Sequence, residues 1–125
     1  MRLKDKAAII TGAGSGLGEA VARRFAAEGA SLLLCDTNAK AVQSLSEELS
    51  THAPSVLACE TDVSDSGDVQ EMAESCLKAF GKIDILINNA GISPKKAYLE
   101  YTEDDWDAVI DVNLKGEYLC ARAVS

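Results

Sequence analysis

No run of apolar residues in this chain approaches the roughly 18 needed to cross a bilayer. The amino terminus, MRLKDKAAIITGAG, places positive charge ahead of apolar residues, but that run is only Ala7 to Ile10. It is too short for the core of a secretory signal, which takes about 7–15 residues. A basic surface is missing as well: 12 Lys and Arg stand against 20 Asp and Glu, a formal charge of -8. Nucleic acids and anionic membranes both require a basic stripe, so neither is an expected partner. Lys4, Lys6, Arg23 and Arg24 are scattered and read as solvated surface. Paired cysteines are lacking too. Cys35, Cys59, Cys76 and Cys120 form no CxxC, and His52 is the only histidine. No metal site is expected, and the cysteines read as small buried hydrophobes in a reducing cytoplasm.

What is present is regular alternation without repeats, linkers or low-complexity tracts. At 125 residues the chain fits one domain, residues 1–125. Ala7 to Thr11, Ser31 to Cys35, Ser55 to Cys59 and Ile83 to Ile87 are short runs, largely apolar, as in strands buried on both faces. Between them lie helical patterns. Leu17, Ala20, Val21 and Phe25 form the first, stopped by Gly29. Val42, Leu45 and Leu49 form the second, with Thr37 or Asn38 as cap. Val69, Met72, Ala73, Cys76, Leu77 and Phe80 form the third, started by Ser64 or Asp65 and ended by Gly81. Thr102 and Asp105 have capping-box spacing before a helix that turns Trp106, Val109 and Ile110 inward, and a helical pattern restarts over Leu114 to Val124. Strand–helix alternation of this kind predicts an α/β fold: right-handed crossovers in a parallel sheet, the first half of a doubly wound Rossmann-type fold with strand order 3-2-1-4.

The chemistry is concentrated where the first strand ends. Ile10 to Gly18 reads ITGAGSGLG, with four glycines. In this fold ligands bind beyond the carboxyl ends of the strands at the switch point, and strand 1 is the pivot. A helix N-terminus there offers free N–H groups and a positive dipole to an anion. The spacing is neither GxGxxG nor Walker A; it is T-G-x-x-x-G-x-G, from Thr11 to Gly18. Asp36 closes strand 2, eighteen residues beyond Gly18, where a ribose-binding acid belongs. Its charge repels a 2′-phosphate and no arginine adjoins it, which favours NAD over NADP; the plainer reading is an aspartate that starts a turn. Asp62 and Val63 end strand 3, placed to meet an adenine edge. A glycine loop with an acid after strand 2 also occurs in S-adenosylmethionine-dependent methyltransferases, though the Thr11 to Gly18 spacing counts against that alternative.

Taken together, Thr11 to Gly18, Asp36, Asp62-Val63, Asn88-Asn89-Ala90-Gly91 and Asn113 resemble the short-chain dehydrogenase/reductase family in order and spacing over essentially the whole chain. The resemblance implies that Gly12, Ser15, Gly16, Leu17 and Gly18 line the pyrophosphate side of NAD(P). It gives Asp36 the adenosine ribose and Asp62 with Val63 the adenine. Asn89, Ala90 and Gly91 let the backbone approach the coenzyme; for Asn88, turn chemistry competes with this role. Asn113 takes the catalytic part of helping to hold a water in a proton relay, against the alternative of ordinary helix packing.

The implied reaction is hydride transfer between nicotinamide and a small-molecule carbonyl or secondary alcohol, with 3-oxoacyl thioesters and polyols both open as substrates. The family tyrosine is followed four residues later by lysine, and a serine precedes it. Here Tyr98, Tyr101 and Tyr118 are followed at that distance by Thr102, Asp105 and Arg122. The helical pattern at the end has no cap, and strand 4 has no successor. The expectation is therefore a fragment that lacks the catalytic Ser and Tyr-x-x-x-Lys and is inactive alone, from a full-length enzyme that forms tetramers. A non-catalytic dinucleotide-binding module is the alternative. Lys95 and Lys96, in the loop expected at the substrate edge, read either as solvated or as suited to an acidic partner.

Overall fold

The computed structural model describes residues 1–125. Four parallel strands, β1 (Ala7–Thr11), β2 (Ser31–Asp36), β3 (Val56–Glu60) and β4 (Ile85–Ile87), stand in the order β3-β2-β1-β4. The helices are α1 (Gly16–Ala27), α2 (Ala39–Leu49), α3 (Ser66–Phe80), α4 (Glu103–Ile110) and α5 (Gly116–Val124). This is the expected first half of a doubly wound sheet. β1 lies between the arm that winds to β3 and the arm that begins with β4.

Alternation within the buried strands builds two cores. Ala8, Ile10, Leu32 and Leu34 face α1 and α2, while Ile9, Leu33 and Cys35 face α3 and α5. Strands covered on both faces need no polar side, which is why they read as unbroken apolar runs. The helix starts follow local chemistry. Asn38 accepts from the Ala41 N–H at 3.1 Å, and Asp65 accepts from the Gly67 and Asp68 N–H groups. Thr102 and Asp105 form a reciprocal capping box. Gly81 closes α3 in the left-handed region, φ 77°.

Several expectations shift. Strand 4 begins at Ile85 rather than Ile83, because the Asp84 carboxylate takes the Ala7 N–H at 2.8 Å while the Asp84 N–H donates to the Ala7 carbonyl at 2.9 Å. A side chain has replaced one rung of the ladder. Strand 3 runs one residue later than expected, Val56–Glu60; Ser55 lends only its carbonyl, to the Leu32 N–H. The buried face of α1 is Gly18, Ala22 and Ala26, with Leu17 and Ala20 exposed, since the helix lies so close to β1 that only small residues fit beneath it. Leu77 is half exposed on α3, and Trp106 is 61% exposed on α4, which contributes no buried residue. An apolar face is buried only where another element covers it, and none of the four strands lies under Trp106.

The two helical patterns near the end are one continuous helix. Asp111–Lys115, a π-helical turn, joins α4 to α5 without a break. An added residue per turn changes the phase of the apolar stripe, which in the sequence resembles an ending and a restart.

Candidate functional site

At the carboxyl ends of β1, β2, β3 and β4 the loops converge on a cleft of about 110 Å³. Gly12, Asp36, Asp62, Val63, Ala90 and Gly91 line it. Complete small-molecule sites span several hundred Å³, so this is part of a wall rather than a whole pocket.

Thr11 organises the floor. Its side chain is fully buried, and its hydroxyl donates to the Ile87 carbonyl at 3.3 Å while accepting from the Asn89 and Ala90 N–H groups, each at 3.0 Å. Asn89 Nδ2 donates to the Gly12 carbonyl at 3.2 Å. The first strand's glycine loop and the segment after β4 are thus tied to one another. On the other side, the Ala13 N–H donates to the Cys35 carbonyl at 3.0 Å and the Gly14 N–H to Asp36 Oδ2 at 2.9 Å. In the sequence Thr11 is only the first letter of the glycine motif, which does not disclose this role. The available signal was a lone hydroxyl in an otherwise apolar buried strand. Thr11→Val keeps the shape, leaves the Ala90 N–H unpaired and leaves the Asn89 N–H with the Ile87 carbonyl alone, an expected loss of about 1–3 kcal/mol. Urea denaturation measures it; an unchanged midpoint would remove Thr11 as the organiser.

The N-terminus of α1 opens at the lip of this floor. Ser15, extended at φ -162°, makes no side-chain cap, whereas Asn38, Asp65 and Thr102 cap the other helices that start from loops. The N–H groups of Gly16, Leu17 and Gly18 therefore find no acceptor in the chain. Ser15, Gly16 and Leu17 are exposed beside them. A Cβ at Gly16 would meet nothing within 4 Å, and the residue's φ is +55°. Gly18 is buried and closely approached, its notional Cβ only 2.1 Å from the Gly12 carbonyl oxygen. An anion is what this arrangement of free donors and open space can hold.

Asp36 Oδ1 accepts from the Asn38 N–H at 2.9 Å, so each of its carboxylate oxygens holds one local donor and keeps a further lone pair. Asp62 Oδ1 is taken by the Ser64 N–H and hydroxyl, leaving Oδ2 free. The Val63 N–H has no acceptor in the chain, and the side chain of Val63 packs on Gly116 of α5. An acceptor and a free N–H side by side form the edge that adenine would match.

Asn113 sits in the π turn. Its Oδ1 accepts from the Ile92 N–H at 2.8 Å and its Nδ2 donates to the Ile92 carbonyl at 2.9 Å, so both ends of the amide clasp the loop after Gly91. Asn88 reaches the Glu117 carbonyl at 3.4 Å. Lys96 pairs with Asp105 at 2.7 Å and holds that carboxyl below its ordinary range, whereas Lys95 is exposed. Arg122 and the Tyr118 hydroxyl lie 3.4 Å apart on the surface of α5. The four cysteines are free thiols.

A parallel sheet with its cleft at the switch point, an uncapped helix on one side and an acid-bearing strand on the other, defines a doubly wound α/β protein of the nucleotide-binding kind. The chain belongs to the short chain dehydrogenase family, whose model matches residues 6–125. It is 40% identical over 124 residues to the (2S)-[(R)-hydroxy(phenyl)methyl]succinyl-CoA dehydrogenase subunit BbsD of Thauera aromatica, covering 99% of this chain and 50% of that protein. The crystal structure of 3-ketoacyl-(acyl-carrier-protein) reductase from Brucella melitensis complexed with NADH matches with a TM-score of 0.90 at 39% identity, over 96% of this chain and 48% of that one. A short chain dehydrogenase/reductase from Burkholderia phymatum in complex with NAD matches with a TM-score of 0.92 at 36% identity, over 98% and 44%. The chain thus spans about half the length of the relatives it matches. The family leaves the methyltransferase alternative without support. No helix is long and apolar enough to cross a membrane.

Proposed function

We propose that these residues form the coenzyme-holding half of an NAD-dependent oxidoreductase acting on a small-molecule carbonyl or secondary alcohol. The observation that carries the proposal is the free N-terminus of α1 set between Asp36 and the Asn89–Gly91 segment. The two similar structures, solved with NADH and NAD, support the same coenzyme. When bound, the nicotinamide accepts or donates a hydride. This chain's own residues bind and orient. The N–H groups of Gly16, Leu17 and Gly18 meet the pyrophosphate, with Gly12 and Ser15 beside them. Asp36 accepts from the ribose hydroxyls, and its charge disfavours a 2′-phosphate. Asp62 Oδ2 and the Val63 N–H meet the adenine.

Asn89, Ala90 and Gly91 set the backbone wall, and Asn113 acts on it by positioning Ile92. Each polar atom of its amide spends one bond on Ile92, so Asn113 keeps a second Nδ2–H and an Oδ1 lone pair, with its backbone, to offer a relay water. A 3-oxoacyl thioester is the substrate class that the Brucella neighbour supports. The exposed Trp106, Leu114 and Tyr118 on the long terminal helix favour self-association of the full-length enzyme. Four free thiols suit the cytoplasm, where we place it.

The serine and Tyr-x-x-x-Lys of the family resemblance have no counterpart among these residues, so proton transfer to the reacting oxygen is assigned outside them. The purified chain is expected to bind NAD and to oxidise no NADH with a panel of 3-oxoacyl thioesters and ketones. Absorbance at the NADH band reads this directly. Turnover above a heat-treated control would overturn the division between coenzyme holding and catalysis. A binding-only module is the second reading, supported by the residues Thr102, Asp105 and Arg122 at the positions where a lysine is needed.

A further inference from the structure

Cys35 and Cys59 are register partners on the parallel strands β2 and β3. Partners in a ladder share a face of the sheet, and neighbouring strands lie about 4.8 Å apart. That separation falls in the window of about 4.4–6.8 Å between Cα atoms that a disulfide accepts, and the Cβ atoms, about equally far apart, close by a few tenths of an ångström to reach the roughly 3.5–4.5 Å of a bridged pair. Both side chains pack in the core beneath α3, where Cys35 is completely buried. Cys59 is half-buried and opens on a surface cavity of about 310 Å³ lined by Glu71, Glu74, Ser75 and Lys78. One thiol is therefore reachable by a small oxidant, and the other lies directly behind it.

We propose that Cys35 and Cys59 are an oxidisable dithiol, which hydrogen peroxide converts to an intramolecular disulfide between β2 and β3. Cys59 attacks first. Its thiolate sulfur bonds to one peroxide oxygen, the O–O bond breaks, and the departing hydroxide takes a proton to become water. The product is a sulfenic acid on Cys59. The Cys35 thiol then attacks that sulfur, the S–O bond breaks, and the hydroxyl leaves as water with the Cys35 proton. Two thiols and one peroxide give one disulfide and two waters, the two electrons passing from sulfur to peroxide.

The local chemistry favours this order. The Cys35 thiol is the register neighbour of the Cys59 sulfur, and the Thr61 hydroxyl donates to that sulfur at 3.4 Å. The neighbouring Cys35 thiol and the Thr61 hydroxyl bring the Cys59 thiol down, against burial and against Glu71 and Asp68. The neighbouring Cys59 and burial push Cys35 up. Cys76 and Cys120 have no such donors, and burial raises each to about 11. The pair lies under the coenzyme cleft, since Cys35 precedes Asp36 and Cys59 lies two residues before Thr61. The thiol chemistry does not depend on what that cleft binds.

The test is thiol mapping of the native chain after exposure to hydrogen peroxide. Remaining thiols are alkylated under denaturing conditions, followed by digestion with a Glu-specific protease, which separates Cys35, Cys59 and Cys76. The expected result is a linked Cys35–Cys59 peptide pair that dithiothreitol releases, with Cys76 and Cys120 fully alkylated. In Cys35→Ser the reaction is expected to stop at a Cys59 sulfenic acid that dimedone traps. If that variant does not fold, the mapping of the unaltered chain still decides. The proposal is overturned if all four thiols survive, if Cys59 is over-oxidised while Cys35 stays free, or if Cys76 or Cys120 reacts as fast as Cys59.

Discussion

Gly18→Ala is expected to abolish NAD binding and to destabilise the fold by about 2–4 kcal/mol, from overpacking and the loss of a hydrogen bond. The added methyl would stand 2.1 Å from the Gly12 carbonyl oxygen and 2.6 Å from Asn89 Nδ2. The nearest obstacle is backbone and cannot swing aside. Helix α1 must therefore retreat from β1, taking its free N–H groups out of line with the cleft and breaking the bond from Asn89 to Gly12. Gly16→Ala provides the contrast. Its methyl meets no protein atom within 4 Å, and the cost is that of holding alanine at φ +55°, about 1–2 kcal/mol. That methyl nonetheless projects where the pyrophosphate is proposed to lie, so binding is expected to fall by about 100-fold, the equivalent of one strong hydrogen bond to a charged group. Urea denaturation and calorimetry on both variants separate the two roles. Equal stability for the two variants would mean that α1 is not held by contact at Gly18.

The second large effect is at Asp36. Removing its carboxylate in Asp36→Ala deletes two proposed charge-assisted acceptors for the ribose hydroxyls, an expected loss of at least about 100-fold in NAD affinity. NADP is expected to lose less or to gain, because the negative charge that repels its 2′-phosphate is gone. Asp36 also has a structural part to play, accepting from the Gly14 and Asn38 N–H groups. Asp36→Asn distinguishes the parts. Its remaining oxygen keeps one of those bonds, so the fold is largely preserved while the discrimination between coenzymes falls. An unchanged ratio of NAD to NADP affinity in both variants would take the ribose away from Asp36.

The legible parts of the molecule were those in which one residue type answers one local demand. Leu32 to Leu34 must be apolar on both faces because α1, α2 and α3 cover both, and the resulting run is plain in the sequence. Asp65, Thr102 and Gly81 announce helix ends for reasons contained within a few residues. The glycine loop was legible because its spacing follows a strand directly. What escaped depends on partners distant in sequence. Asp84 replaces a strand rung only because Ala7 lies beside it. Thr11 gathers Ile87, Asn89 and Ala90 across 76 to 79 residues. Trp106 has the spacing of a core residue but no element beneath it. The π turn at Asp111–Lys115 left a shift of phase that resembles two helices, although it puts Asn113 where its amide can clasp Ile92.

The central claim is that this chain holds the adenosine and pyrophosphate end of NAD. Isothermal titration of the unaltered protein with NAD and with NADP tests it most directly. Saturable binding of NAD at one site per chain is expected, with NADP weaker. Absence of any NAD binding by a folded sample, or tighter binding of NADP than of NAD, would contradict it.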